Sequence, residues 1–134
     1  MHYIKQLVAA YPTIREVWLY GSRANGTERV DSDWDYLAYA DKSTLDRLAL
    51  DVRFDREDVD LMIVVDGNRF LKPWLCAGGP RKEGTLLEEV GLGGLEWTRE
   101  SKTVASYTAT KEDQRRPGGT EVLRRRAHRV YPFA

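Results

Sequence analysis

The sequence predicts a single α/β domain, of the α+β kind, in which helices flank a mixed β-sheet. Apolar residues recur at helical spacing within residues 4–11 and 45–52. Short apolar runs typical of buried strands occupy residues 17–20, 36–40 and 59–65. Because the two kinds of segment alternate along the chain, we expect the helices to cover the sheet.

The composition is that of one small globular domain. The chain has 134 residues, 42% of them hydrophobic, which is enough for one hydrophobic core. Its formal net charge is zero, so no overall field indicates nucleic acid or an anionic membrane as a partner. The single cysteine, Cys76, excludes an internal disulfide, and with only two histidines a Cys/His zinc site is not expected. No targeting signal or membrane-spanning stretch is visible, and we expect a cytoplasmic protein.

The two predicted helices have recognisable ends. The apolar stripe within residues 4–11 predicts a first helix that ends before Pro12. The stripe within residues 45–52 predicts a second helix. Ser43 is placed as its N-cap, with Asp46 in the capping-box position.

The directions of the three predicted strands follow if their polar ends share a site. The first strand ends at Gly21, and the second starts beside Asp33 and Asp35, so these two strands must run antiparallel. The third strand starts beside Asp60 and must therefore run parallel to the second. A helical crossover between them, which the pattern supplies, is what a parallel connection requires.

Residues 66–134 extend this motif core, which spans residues 16–65. Glycines and prolines interrupt the periodic patterns of the extension. Alternating segments predict a β-hairpin within residues 95–109, and residues 121–129 predict a short basic helix.

Three aspartates form the candidate metal and catalytic site. Asp33 and Asp35 flank Trp34, so on a strand both carboxylates project from the same face. Carboxylate oxygens are the ligands that Mg²⁺ prefers. A third carboxylate is needed to hold two ions for in-line phosphoryl displacement, and Asp60 at the head of the third strand is placed to provide it.

The Gly21-Ser22 turn is the candidate nucleotide-binding loop. It follows a buried strand, and glycine lets phosphate oxygens approach the backbone N–H groups. Ser22 would add a hydroxyl contact and Arg23 a charge-assisted one. Alternatively, Arg23 pairs with Asp31 or another nearby carboxylate. The loop is not a Walker motif, because no Gly-Lys-Ser/Thr follows.

The spacing of these residues resembles a known family. Gly21-Ser22, ten intervening positions and then Asp33-Trp34-Asp35 resemble the pattern of the DNA polymerase β-like nucleotidyltransferase superfamily. Within it, the chain looks most like the minimal nucleotidyltransferases, and Val59-Asp60-Leu61 matches the place of their third metal-binding aspartate.

The resemblance implies a polymerase β-like fold and a transfer of AMP, or another NMP, from the corresponding NTP to a hydroxyl group. It implies two Mg²⁺ ions on Asp33 and Asp35, β- and γ-phosphates on Gly21 and Ser22, and pyrophosphate as the leaving group. Asp60 would share one metal and favour deprotonation of the hydroxyl. Many relatives are antitoxins that adenylylate a partner toxin with a HEPN RNase domain, so a HEPN-type toxin is an expected partner.

Other interpretations stay open at the level of sequence. The chain could be a non-catalytic antitoxin or a nucleotide-sensing module, or it could modify a small molecule such as an antibiotic. The run Arg124-Arg125-Arg126 could contact RNA, triphosphate or an acidic partner, form a solvated face, or neutralise the three aspartates.

Overall fold

The structure is a computed structural model that describes residues 2–66, 69–75, 81–85, 97–113 and 119–133. Its helices are α1 (His2–Ala10), α2 (Ser22–Asn25) and α3 (Lys42–Ala49), followed by a 3₁₀ turn (Val52–Phe54). Its strands are β1 (Glu16–Tyr20), β2 (Trp34–Tyr39), β3 (Val59–Asp66), β4 (Arg69–Leu75), β5 (Arg81–Thr85), β6 (Trp97–Arg99), β7 (Val104–Asp113) and β8 (Gly119–Tyr131).

All of these strands belong to one mixed sheet. Their order is β5-β4-β3-β2-β1-β8-β7-β6. β1 and β2 run antiparallel, whereas β2 and β3 run parallel and are connected through α3. The predicted mixed sheet and the predicted directions of its first three strands are therefore confirmed.

Helices α1 and α3 pack against one face of the sheet. The apolar stripe of α1 is buried there, as the sequence pattern predicts, and so are Leu45 and Leu48 of α3. Burial of these side chains is the main stabilising contribution of this layer. The core of this face includes Tyr3, Ile4, Leu7, Val17, Tyr36, Ala38, Leu45, Leu48, Leu61 and Ile63.

The N-cap of α3 is Asp41, so the prediction of Ser43 was wrong by two residues. The Asp41 carboxylate accepts a hydrogen bond from the Thr44 backbone N–H at 2.8 Å. The helix begins almost immediately after β2, and the aspartate at that junction is the residue with the extended backbone that a cap needs.

The opposite face, here called the second face, is covered by the sheet itself. Trp18 of β1 packs edge-on against Trp97 of β6 with ring centroids 5.6 Å apart. Three strand spacings separate these strands, roughly 14 Å in a flat sheet. Arg99 of β6 also reaches back to Glu16 of β1, at 2.8 Å. The sheet therefore curls, and it buries a second cluster comprising Trp18, Tyr20, Leu37, Met62, Val64, Ala105, Tyr107 and Ala127.

The predicted basic helix at residues 121–129 was wrong, because this segment lies within β8. β8 pairs with β7 over ten positions and with β1 on its other side. These partners satisfy its backbone groups, and this long-range pairing outweighs the helical propensity of its arginines. β6 and β7 pair from Trp97↔Tyr107 to Arg99↔Ala105, within the range predicted as a hairpin, although residues 95 and 96 lie outside the described residues.

Cys76 lies outside the described residues. Across the part that is described, none of the helices combines the length and the apolar character needed to cross a bilayer.

Candidate functional site

Asp35 and Asp60 are neighbours on the second face of the sheet. They are register partners on the parallel strands β2 and β3, and Tyr20 of β1 is the partner of Asp35 on the other side. Leu37 and Met62, two residues further along each strand, are buried in the second-face cluster, which places both aspartates on that face. Both carboxylates are partly exposed, so a soluble ligand can reach them.

Asp60 has a cationic neighbour in Lys72 of β4. The Lys72 Nζ lies 3.5 Å from the Asp60 Oδ1, and only 22% of the lysine side chain is exposed. This is an ion-pair distance, but the same Oδ1 is buried and accepts no hydrogen bond within the described part of the chain. An unsatisfied carboxylate oxygen is costly to bury, so this edge of the acidic pair favours a positive charge.

Gly21 lies directly against the Asp35 carboxylate. Its φ of 75° and ψ of −159° belong to a region that essentially only glycine adopts. A Cβ atom built on Gly21 would lie 2.1 Å from the Asp35 Oδ2. The absence of a side chain at Gly21 therefore permits both the turn and the approach of the loop to the carboxylate.

The C-terminal strands hold this loop in place. The Gly21 N–H donates a hydrogen bond to the Tyr107 hydroxyl of β7 at 2.9 Å. Asn25 of α2 pairs with the backbone of Arg126 in β8: its amide nitrogen donates to the Arg126 carbonyl at 3.0 Å, and its Oδ1 accepts from the Arg126 N–H at 2.8 Å. The Gly21 N–H, which the sequence assigned to phosphate, is thus engaged with Tyr107.

Two tyrosines form the apolar wall beside the acidic pair. Tyr20 and Tyr107 pack edge to face with ring centroids 6.3 Å apart. Burial raises the pKa of the Tyr20 hydroxyl well above its usual value, and the nearby charges of Asp60 and Asp35 raise it further. Burial also raises the pKa of Tyr107. Both phenols are therefore neutral at physiological pH, and that of Tyr107 accepts the hydrogen bond from Gly21.

Asp33, the first of the three aspartates, lies outside the paired strands. It is exposed and precedes β2, whose pairing with β3 begins at Trp34. Within the described ranges, no three acidic, histidine or cysteine side chains are grouped closely enough for a metal cluster. The structure therefore pairs Asp35 with Asp60 in register, whereas Asp33 is exposed and lies just before β2.

Arg23 is engaged with the segment that precedes β2. Its guanidinium lies over the ring of Trp34, 4.3 Å from the centroid. The Nε donates to the carbonyl of Ser32 at 3.0 Å, and the Nη2 reaches the carbonyl of Val30 at 3.5 Å. These contacts indicate that Arg23 orders the segment leading to Asp33, a role the sequence did not suggest.

The acidic pair fits a hard divalent cation in its donor chemistry. Asp35 and Asp60 are register partners that both carry carboxylates, and the Asp60 Oδ1 is buried without a hydrogen bond from any residue that the structure describes. Oxygen donors of this kind suit Mg²⁺. The sequence analysis assigned no role to Lys72, Tyr107 or Asn25, because each of them contacts a residue that is distant in sequence. The available signals were the predicted strand that contains Tyr107 and the loop run that contains Asn25.

Comparison with known proteins gives one match. Residues 2–66 match the family model described as Polymerase beta, Nucleotidyltransferase. Neither the curated proteins nor the solved structures include a match. The matched residues extend from α1 to the end of β3 and contain the Gly21 loop and all three aspartates, whereas Lys72 and Tyr107 lie beyond them.

Proposed function

Because the chain is a member of the polymerase β-like nucleotidyltransferase superfamily, we propose that it transfers an NMP from an NTP to a hydroxyl acceptor. ATP is the first candidate for the donor, and pyrophosphate is the leaving group. The observation that carries the proposal is the register pair Asp35 and Asp60, held directly against the Gly21 loop.

Each residue of the site has a proposed role. Asp35 and Asp60 would hold Mg²⁺, and Asp33 would complete the oxygen ligands needed for two ions. Bound Mg²⁺ neutralises phosphate charge during transfer. Asp60 would favour loss of the proton from the acceptor hydroxyl. Ser22 would bind the phosphates together with the loop, while Arg23 and Trp34 would keep the segment before Asp33 ordered.

The acceptor we propose is a hydroxyl group on a partner protein in the cytoplasm. Support comes from accessibility: Asp33 is exposed, and Asp35 and Asp60 are partly exposed, so a hydroxyl carried by a large molecule can approach them. A HEPN-type toxin is the first partner to test, and an antibiotic or other small molecule is the alternative acceptor.

The test is transfer of label from α-labelled NTPs, in the presence of Mg²⁺, to candidate partners. Asp35→Asn and Asp60→Asn should each abolish transfer, because they remove the charge that attracts the cation. Asp58→Asn is the matched control. Asp58 lies two residues before Asp60 but is exposed and paired with Arg56 at 3.1 Å, so this variant should retain wild-type transfer.

The outcomes separate the interpretations. Full transfer by Asp35→Asn would refute the catalytic assignment. If the protein forms a complex with a partner, no transfer is seen, and neither aspartate variant weakens the complex, the chain is instead a binding module. Label on an antibiotic but on no protein would favour the small-molecule alternative.

A further inference from the structure

Arg125 of β8 lies beside the Gly21 loop, on the same face as the acidic pair. It is the register partner of Tyr107 on β7, and Ala127, two residues away, is buried in the second-face cluster. Alternate residues of a strand share a face, so Arg125 projects from the second face. The Tyr107 hydroxyl accepts a hydrogen bond from the Gly21 N–H, so the Tyr107–Arg125 register pair lies close to the Gly21 loop.

The loop itself reaches β8 at this level. Asn25 bonds to the backbone of Arg126, the next residue along the strand. Only β1 separates β8 from β2, where Asp35 lies, so roughly 10 Å separate the two strand backbones. A polyphosphate bound at the acidic pair and the Gly21 loop is within the span of a long side chain from β8.

Arg125 also has no acidic partner among the residues that the structure describes. It is only partly exposed, and within the described residues no carboxylate forms an ion pair with it, whereas Arg53, Arg56 and Arg99 each have one. The positive charge of Arg125 lowers the pKa of the nearby Tyr107 hydroxyl. Burial raises the pKa of that hydroxyl, while the Gly21 N–H and then Arg125 oppose the rise. The adjacent arginines, Arg124 and Arg126, are exposed and alternate to the other face.

We propose that Arg125 binds the triphosphate of the nucleotide, so that the C-terminal strands supply a cation to the active site. This inference rests on the proposed nucleotidyl transfer and adds a binding residue from outside the family-matched segment. A guanidinium suits this role because its fork of N–H donors matches phosphate oxygens. In this arrangement Arg125 and the metal-binding carboxylates approach the polyphosphate from opposite sides of β1.

Isothermal titration calorimetry with tripolyphosphate in Mg²⁺ buffer tests the inference. It requires neither the acceptor substrate nor the nucleobase of the nucleotide. Arg125→Gln should weaken binding by about tenfold or more, the effect of losing a charge-assisted hydrogen bond, and Arg125→Lys should recover part of it. Arg124→Gln is the matched control, with the same loss of charge on the opposite face, and should change binding by less than about twofold. Circular dichroism spectra verify that each variant is folded.

Wild-type affinity in Arg125→Gln, or equal weakening in Arg124→Gln, would overturn the inference. Absence of tripolyphosphate binding by the wild-type chain would overturn it as well. The label-transfer assay distinguishes this failure from failure of the proposed function: Asp35-dependent transfer that is indifferent to Arg125→Gln leaves the function standing and removes only the role of Arg125.

Discussion

At the scale of single residues, the acidic pair depends on a position that carries no side chain. Gly21 combines a positive φ with a contact against Asp35, whereas Gly26, at the other end of α2, has a positive φ of 69° and open space around it. The two glycines therefore separate two effects, namely backbone strain alone and backbone strain combined with a steric clash.

Replacing each glycine by alanine should reveal this difference. Gly26→Ala should cost about 1 kcal/mol of unfolding free energy, from backbone strain. Gly21→Ala should cost roughly 3 kcal/mol, because its Cβ must also displace the Asp35 carboxylate, and it should weaken Mn²⁺ binding. Urea denaturation and Mn²⁺ titration by electron paramagnetic resonance measure the two effects. Equal losses in both variants would show that the contact with Asp35 is unimportant.

The predictability of site residues depends on how much of their geometry is local. Asp33, Asp35 and the Gly21 loop were predicted as site residues from their spacing, because a strand end and a tight turn have signatures within a few residues. Lys72 and Tyr107 had no such signature. Their roles depend on which strands become neighbours and on how strongly the sheet curls, and these are properties of long-range packing.

At the scale of elements, α2 connects the family-matched segment to the C-terminal strands. Asn25 provides most of this connection, through two hydrogen bonds to Arg126 and a third from its side-chain amide to the carbonyl of Gly21. The asparagine thereby extends the edge of β8 with a side chain that imitates a backbone partner.

Asn25→Ala should therefore loosen the loop and the strand together. The loss of these partly exposed hydrogen bonds should cost about 1 to 2 kcal/mol, and the backbone amide of Arg126 should exchange its proton faster. Asn25→Asp keeps the acceptor for that amide and should protect it better than alanine does. Amide hydrogen exchange measures both variants, and unchanged exchange at Arg126 in Asn25→Ala would contradict this role.

Whether an element could be predicted from the sequence likewise depends on how local its contacts are. α1 and α3 were predictable from their apolar stripes, because each buries one face. β1, β2 and β3 were predictable from short apolar runs, because their side chains are buried on both faces of the sheet. β8 was not, because consecutive arginines hide the alternation of the strand. Its pairing with β1 joins residues more than a hundred positions apart, and no local pattern records such a contact.

At the scale of the whole molecule, helices cover one face of the sheet, and the curl of the sheet covers the other. Both faces bury tyrosines. Tyr3 of α1 and Tyr36 of β2 lie between the helices and the sheet, and Tyr20 and Tyr107 lie within the curl of the sheet. Burial raises the pKa of all four hydroxyls, that of Tyr36 to about 12. The folded chain therefore retains phenolic protons that the unfolded chain releases near pH 10.

This difference predicts loss of stability at alkaline pH. Below about pH 10 these tyrosines are neutral in both states, and their contribution to stability is fully present. As the pH rises from there towards the raised pKa values, only the unfolded state loses protons, and each tyrosine should lower the unfolding free energy by about 1.4 kcal/mol per pH unit. Urea denaturation at a series of pH values measures the slope.

Tyr36→Phe should reduce that slope by one proton, since its hydroxyl would no longer titrate. A stability that is constant from pH 10 to 12 in the wild-type chain would mean that these phenols are ionised as readily in the folded protein as in the unfolded one, and that the curled sheet does not exclude water from them.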